Sequence, residues 1–163
     1  MITQFVADIK RGKQAETYFR ENYLDFFSIN YFDVTDSQAF QLIDTDFNSV
    51  IGTYEVKGNY KDNECLIFEE YTNINENLGP ISYGWLVKSA ADVIVFISKQ
   101  SGMMIFLPLT NEFKSHYQSI RGDYELKRNK ITIYGKKRWQ SAFRIIPFDA
   151  LAGFISVYKR RGQ

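Results

Sequence analysis

The stretch QLIDTDFNSVIGTYEVK, residues 41–57, decides how this chain is read. Apolar and β-branched residues stand on both sides of Gly52, and short runs of that kind bounded by turn formers read as strands. The two strands expected are Phe40 to Asn48 and Thr53 to Tyr60. A link this short favours an antiparallel hairpin. Side chains alternate along a strand, so Glu55 and Lys57 share one face while Val56 points to the other, into a core. Asp46 lies on the preceding strand, where a tight hairpin brings its carboxylate beside Glu55.

Two converging carboxylates suit a hard divalent cation. Mg²⁺ is held by one or two carboxylates, with waters and substrate phosphate completing an octahedron, and Mn²⁺ is expected to substitute. Lys57 beside such a site orients a metal-bound water and offsets charge on a phosphate in transfer. The acid-x-Lys pattern recurs at Asp8–Lys10, Glu112–Lys114 and Glu125–Lys127. Only Glu55–Lys57 follows a strand-borne Asp at hairpin distance. The plainer alternative is a half-exposed ion pair on an edge strand, which contributes under ~1 kcal/mol.

Upstream, Ala15, Tyr18, Phe19 and Tyr23 recur at three- and four-residue steps, which predicts an amphipathic helix from about Lys13 to Leu24. Downstream, Cys65 to Tyr71 reads as a third strand and Ser82 to Ala91 as a helix after the Gly79-Pro80 break. Val93 to Ile97 is an unalternated β-branched run, the mark of a central strand buried on both faces. Met103 to Leu107 is a further strand and Asn111 to Ser119 a helix. Strands Tyr124 to Tyr134 and Ala142 to Ile146 precede a C-terminal helix, Phe148 to Ser156. The order predicts an α/β domain with a mixed sheet, an αβββαβ core and a C-terminal β-hairpin and helix.

With 163 residues, 45% hydrophobic and 24% charged, the chain has globular proportions and fits a single domain over residues 1–163. Its core is expected at about 13–99 and a basic C-terminal extension at about 121–163. One cysteine, Cys65, and one histidine, His116, exclude a disulfide framework and any multi-cysteine or multi-histidine metal site. No apolar run reaches the ~20 residues of a membrane span. Residues Met1 to Lys13 lack the order of a signal peptide, and a reducing cytoplasm is the expected setting. Net charge is +1, yet residues 121–163 carry 11 Lys/Arg against three acids. An acidic front and a basic back suggest a cation site and a polyanion-binding surface. Lys136-Lys137-Arg138-Trp139 interleaves basic and aromatic residues, as nucleic-acid contacts do. Lys88 is a further phosphate candidate.

The residues around Asp46, Glu55 and Lys57 resemble the PD-(D/E)XK nuclease superfamily of restriction endonucleases, Holliday-junction resolvases and RecB-like exonucleases, including phage and bacterial members. That family shares an αβββαβ core, with an Asp at the start of the second strand and Glu/Asp-x-Lys on the third. Gln41 resembles a glutamine found ahead of the motif Asp in RecB-like members. Thr45 stands where the family name has Pro, and Asp44 rivals Asp46 for the metal. The resemblance implies a restriction-endonuclease-like fold and a Mg²⁺-dependent DNA nuclease acting on duplex or branched DNA. Asp46 and Glu55 would be metal ligands and Lys57 the residue that positions water. It implies two further catalytic candidates: Glu16, from the first helix, and Glu69, preferred over Glu70. Glu16 has an equal reading as the i+4 partner of Arg20. A homodimer is expected for a cutter of two strands. The reading from another class is a catalytically inactive nucleic-acid-binding or protein-interaction module that keeps the fold.

Overall fold

The computed structural model describes residues 2–59, 64–75, 79–98, 101–134 and 137–159. A long helix, α1 (Ile2–Phe19), runs into a single π-helical turn, Arg20–Leu24. Strand β1 (Tyr31–Asp33), a four-residue helix α2 (Gln38–Gln41), β2 (Phe47–Ser49) and β3 (Gly52–Asn59) follow. Next come β4 (Cys65–Asn75), β5 (Gly79–Tyr83), the short α3 (Trp85–Lys88), β6 (Val93–Ser98), β7 (Met104–Pro108) and α4 (Asn111–Ile120). A 3₁₀ turn leads to β8 (Lys127–Arg128), β9 (Thr132–Tyr134), β10 (Lys137–Trp139) and β11 (Ala142–Pro147). A second 3₁₀ turn, Phe148–Leu151, and β12 (Ser156–Tyr158) complete the order.

The strands form a six-stranded mixed sheet, β1-β2-β3-β6-β7-β12, a four-stranded antiparallel sheet, β5-β4-β11-β8, and the hairpin β9–β10. Within the mixed sheet only β3 and β6 are parallel, with Glu55 opposite Ile94 and Lys57 opposite Phe96. The mixed α/β class expected from the sequence is therefore the class observed.

Alternation on β6 explains how that strand is buried on both faces. Val95 and Ile97 join Ala15, Phe19, Tyr54 and Val56 in a core under α1. Ile94 and Phe96 join Leu66, Phe68, Trp85, Phe113 and Tyr117 in a second core facing the antiparallel sheet, α3 and α4. Ala15 and Phe19 sit one turn apart on α1, and Phe19 stacks on Tyr23 at a centroid distance of 5.3 Å. The N-terminus of α4 is capped by Thr110, whose hydroxyl accepts the Phe113 N–H at 3.2 Å.

Several expectations need correction. Phe40 to Asn48 is not a strand. It begins in α2, and the backbone at Asp44 turns left-handed (φ 46°) before β2 starts at Phe47. The cause is tertiary: Ile43 O accepts the Ala90 N–H at 2.8 Å and Asp44 O the Ser89 hydroxyl at 2.8 Å, so the loop docks on the linker before β6. The strand at Tyr31–Asp33, too short to show a period, takes the first place in the mixed sheet. Cys65 to Tyr71 is a strand but belongs to the second sheet. Ser82 to Ala91 is mostly not helical, because its start pairs with β4 as β5. Tyr124 to Tyr134 is divided into β8 and β9. Only one 3₁₀ turn forms where a C-terminal helix was expected, and β12 instead pairs antiparallel with β7 at the edge of the mixed sheet. The single histidine, His116, is half-buried on α4, its Nε2 2.7 Å from Ala150 O and its ring stacked on Phe154.

Candidate metal and phosphodiester centre

The site is built at the fork where β2 leaves β3. Phe47 pairs with Tyr54, which puts Asp46, the residue before β2, next to Glu55. Asp46 donates its N–H to Tyr54 O at 2.8 Å, and its Oδ2 accepts the Val56 N–H at 2.7 Å. Tyr54 and Val56 turn into the core under α1, so Glu55 and Lys57 project from the opposite face of β3. At its start, β3 is held to β6 by Asp92, whose Oδ2 accepts both the N–H (2.8 Å) and the hydroxyl (2.9 Å) of Thr53.

Glu55 is buried, 4% exposed, and pairs through Oε1 with Lys57 Nζ. Its other oxygen, Oε2, is buried and has no hydrogen-bond partner among the described residues. Burial pushes Glu55 up to about 7, with Lys57 opposing and the Asp46 charge adding to the rise. Asp46 is pushed up to about 6, again first by burial, against the stabilising Val56 N–H and with repulsion from Glu16. Burial pulls Lys57 down, but Glu55, then Asp44 and Asp46, outweigh it and hold the ammonium above its ordinary value. Lys57 is thus a firm cation and hydrogen-bond donor at neutral pH.

Glu16 stands on α1 facing this fork. Its carboxyl is raised by burial and then by Glu55, with Asp33 adding to the rise. It lines a polar cleft of about 180 Å³ with Lys13, Arg20, Asp33 and Asp36. The ion pairs of Arg20 go to Glu21 and Asp33, each at 3.7 Å, rather than to Glu16. Asp33 comes from the strand the sequence did not reveal, and no motif marked it. Asp44 sits in the left-handed turn rather than on a strand with Asp46, and pairs with Lys88 at 3.2 Å.

The Glu69–Glu70 doublet is split by a bulge. Ala142 pairs with Tyr71 and Phe143 with Glu69, leaving Glu70 without a partner on β11. Glu70 turns inward, where its Oε1 accepts Tyr117 Oη and Arg144 Nε, both at 2.8 Å, and its Oε2 accepts Arg121 Nη2 at 3.0 Å. Glu69 is half-buried on the side of the candidate centre: burial raises its carboxyl, with Lys57 the foremost opposing charge and Asp44 adding. The turn from β5 to α3 presses on this point, since a Cβ on Gly84 would overlap the Glu69 carbonyl oxygen.

The remaining candidates are more scattered. Lys88 is exposed and bonded to Asp44. Lys137 and Arg138 stand on β10 opposite Tyr134 and Ile133, and Lys136 lies outside the described residues.

Among the described residues, no group of three or more His, Cys, Asp or Glu side chains forms a ready metal cage. A Mg²⁺ ion does not need one, because two carboxylates with waters suffice. Asp46 and Glu55 fit that requirement, and the orphaned Glu55 Oε2 is a buried acceptor a cation would satisfy. No helix among the described residues is long and apolar enough to cross a membrane. Comparisons of the chain with protein-family models, with curated proteins and with solved structures gave no match.

Proposed function

We propose that the chain is a metal-dependent nuclease that hydrolyses phosphodiester bonds in DNA. The observation that carries this reading is the meeting of Asp46, Glu55 and Lys57 at one fork, with Glu55 Oε2 buried and unpartnered among the described residues. The element order supports it: a helix, three strands joined antiparallel, and a parallel strand beside the third.

In this reading Asp46 and Glu55 hold Mg²⁺ or Mn²⁺. The bound cation supplies Lewis acidity toward a phosphoryl oxygen and a more acidic water. The chain's own groups do the rest. Asp46 stays in place because Val56 N–H holds its Oδ2. Glu55, desolvated, releases its proton more readily once a positive charge is near. Lys57, a persistent ammonium, donates toward the attacking water or a phosphate oxygen and offsets the negative charge that grows there. Glu16 and Glu69 flank the centre as further acceptors for ordered water.

The test is incubation of the protein with plasmid and branched DNA in Mg²⁺, Mn²⁺ or EDTA. Cation-dependent cleavage lost on Lys57→Ala supports the reading. Binding without cleavage under every condition replaces it with a non-catalytic nucleic-acid module.

A further inference from the structure

Within the described part of the C-terminal segment, Lys127 and Arg128 on β8 and Lys130 just after it are all exposed. None of the three forms a side-chain ion pair with a described residue. The anions upstream, Asp123 and Glu125, end before the strand, so β8 and its turn carry positive charge only. Among the described residues β8 is the outer strand of the antiparallel sheet and pairs with β11 alone.

Register relates this edge to the candidate centre. Phe143 on β11 is opposite Lys127 on one side and Glu69 on the other. Residues directly opposite across a ladder project from the same face. Lys127, Phe143 and Glu69 therefore form one row, two strand spacings or roughly 10 Å long. The half-buried Phe143 lies in the middle, and at the inner end Glu69 feels Lys57 as its foremost charge.

We propose that this row is the path along which the phosphate backbone of a nucleic-acid strand approaches the centre, with Lys127, Arg128 and Lys130 gripping phosphates at its outer end. The proposal rests on the nuclease reading for where the path leads. A row of roughly 10 Å spans about three phosphates of one DNA strand, spaced about 3.4 Å along the axis. A lysine on an edge strand also discourages edge-to-edge pairing. That role asks only for charge at the edge. It does not require three uncompensated cations clustered at one edge, with Lys127 among them in register with an aromatic ring and an acidic residue.

The experiment is fluorescence anisotropy with a labelled duplex of about 20 base pairs and with one of its strands. Binding is measured in EDTA, so that nothing is cut, across about 50–200 mM salt. Wild type is compared with the triple variant Lys127→Gln/Arg128→Gln/Lys130→Gln. Lys114→Gln, exposed on α4, is the control. All three target residues are exposed, so the melting temperature of the triple variant should match wild type. The expected result is a duplex log–log salt slope shallower by about 2 to 3 in the triple variant, with affinity at low salt down at least tenfold. Lys114→Gln should leave the slope unchanged. Equal slopes in wild type and the triple variant overturn the proposal. So does binding of polyglutamate or anionic vesicles as tight as that of DNA. A changed slope in a protein that cuts no DNA with Mg²⁺ or Mn²⁺ defeats the nuclease reading and leaves the surface assigned. Persistent cleavage with an unchanged slope defeats the surface alone.

Discussion

Asp46 grips β3 on both sides of Glu55: its N–H goes to Tyr54 O at 2.8 Å, and its Oδ2 takes the Val56 N–H at 2.7 Å. One residue thus supplies a candidate ligand and fixes the backbone that presents the other. The two duties separate by substitution. Asp46→Asn keeps an acceptor for Val56 and removes a charge, so the metal-free protein should melt slightly higher and lose its Mn²⁺-induced shift. Asp46→Ala leaves a buried N–H unpaired and should cost about 1–3 kcal/mol. Thermal melts across a Mn²⁺ titration measure both, and an identical shift in wild type and Asp46→Asn would place the cation elsewhere.

The raised carboxyls make stability depend on pH. Asp46 (about 6) and Glu55 (about 7) hold their protons more tightly folded than unfolded. The folded state therefore binds more protons between about pH 4 and 7, and the stability this contributes is lost as pH rises through the folded values. Without metal, the melting temperature should fall from about pH 5 to about pH 8. Asp46→Asn should flatten the fall, and Mn²⁺ should stabilise more at the alkaline end. A melting temperature that climbs over this range contradicts the assignment.

Lys57→Ala should abolish cation-dependent cleavage. Lys57 is 30% exposed and outside both cores, so the fold and DNA affinity should persist, with a lower melting temperature because the buried Glu55 loses its ion-pair partner. Cleavage assays on a variant verified by circular dichroism and anisotropy decide this. Near wild-type cleavage by folded Lys57→Ala would remove the residue from the mechanism.

The Glu70 cluster should matter for stability rather than chemistry. Arg144→Ala removes one partner of a buried carboxylate and should cost about 3–5 kcal/mol. Tyr117→Phe removes one hydrogen bond and should cost about 1 kcal/mol. Denaturant melts give the two values. In Tyr117→Phe, cleavage should equal wild type.

Gly84→Ala drives a methyl into the Glu69 carbonyl. Because backbone must yield, a loss of about 1–3 kcal/mol is expected, with altered cleavage if β4 shifts Glu69. Unchanged melting and cleavage would show that the turn accommodates the methyl freely.

What the sequence revealed was governed by local periodicity. The recurrence of Ala15, Phe19 and Tyr23, the β-branched run from Val93 and the alternation through Glu55 and Lys57 each reflect nearest-neighbour geometry. The two strands stand where expected, while the helix starts at Ile2, well before Lys13, and ends in a π-helical turn over Arg20–Leu24. What stayed hidden depends on distant partners. Tyr31–Asp33 is a strand only because β2 pairs with it. Asp44 leaves the strand pattern because Ser89 and Ala90 hold its loop. Cys65 to Tyr71 was legible as a strand, but nothing local says which sheet it joins. Asp33 near Glu16 followed from that same missed strand, whereas the Glu69–Glu70 division needed the bulge against β11.

The parallel pairing of β3 with β6 also bears on how the molecule comes together in time. Thr53 meets Asp92, 39 residues away in sequence, and Glu70 meets Arg144 across 74. Loops of that size must close before those contacts reward closure, so folding should be slow and the barrier largely entropic. Helix α1 and the β2–β3 turn are short-range and can form early. The flank of the fork that includes Glu69 waits for β4 and β11 to meet. During refolding, secondary structure should therefore recover before any cation-dependent cleavage does.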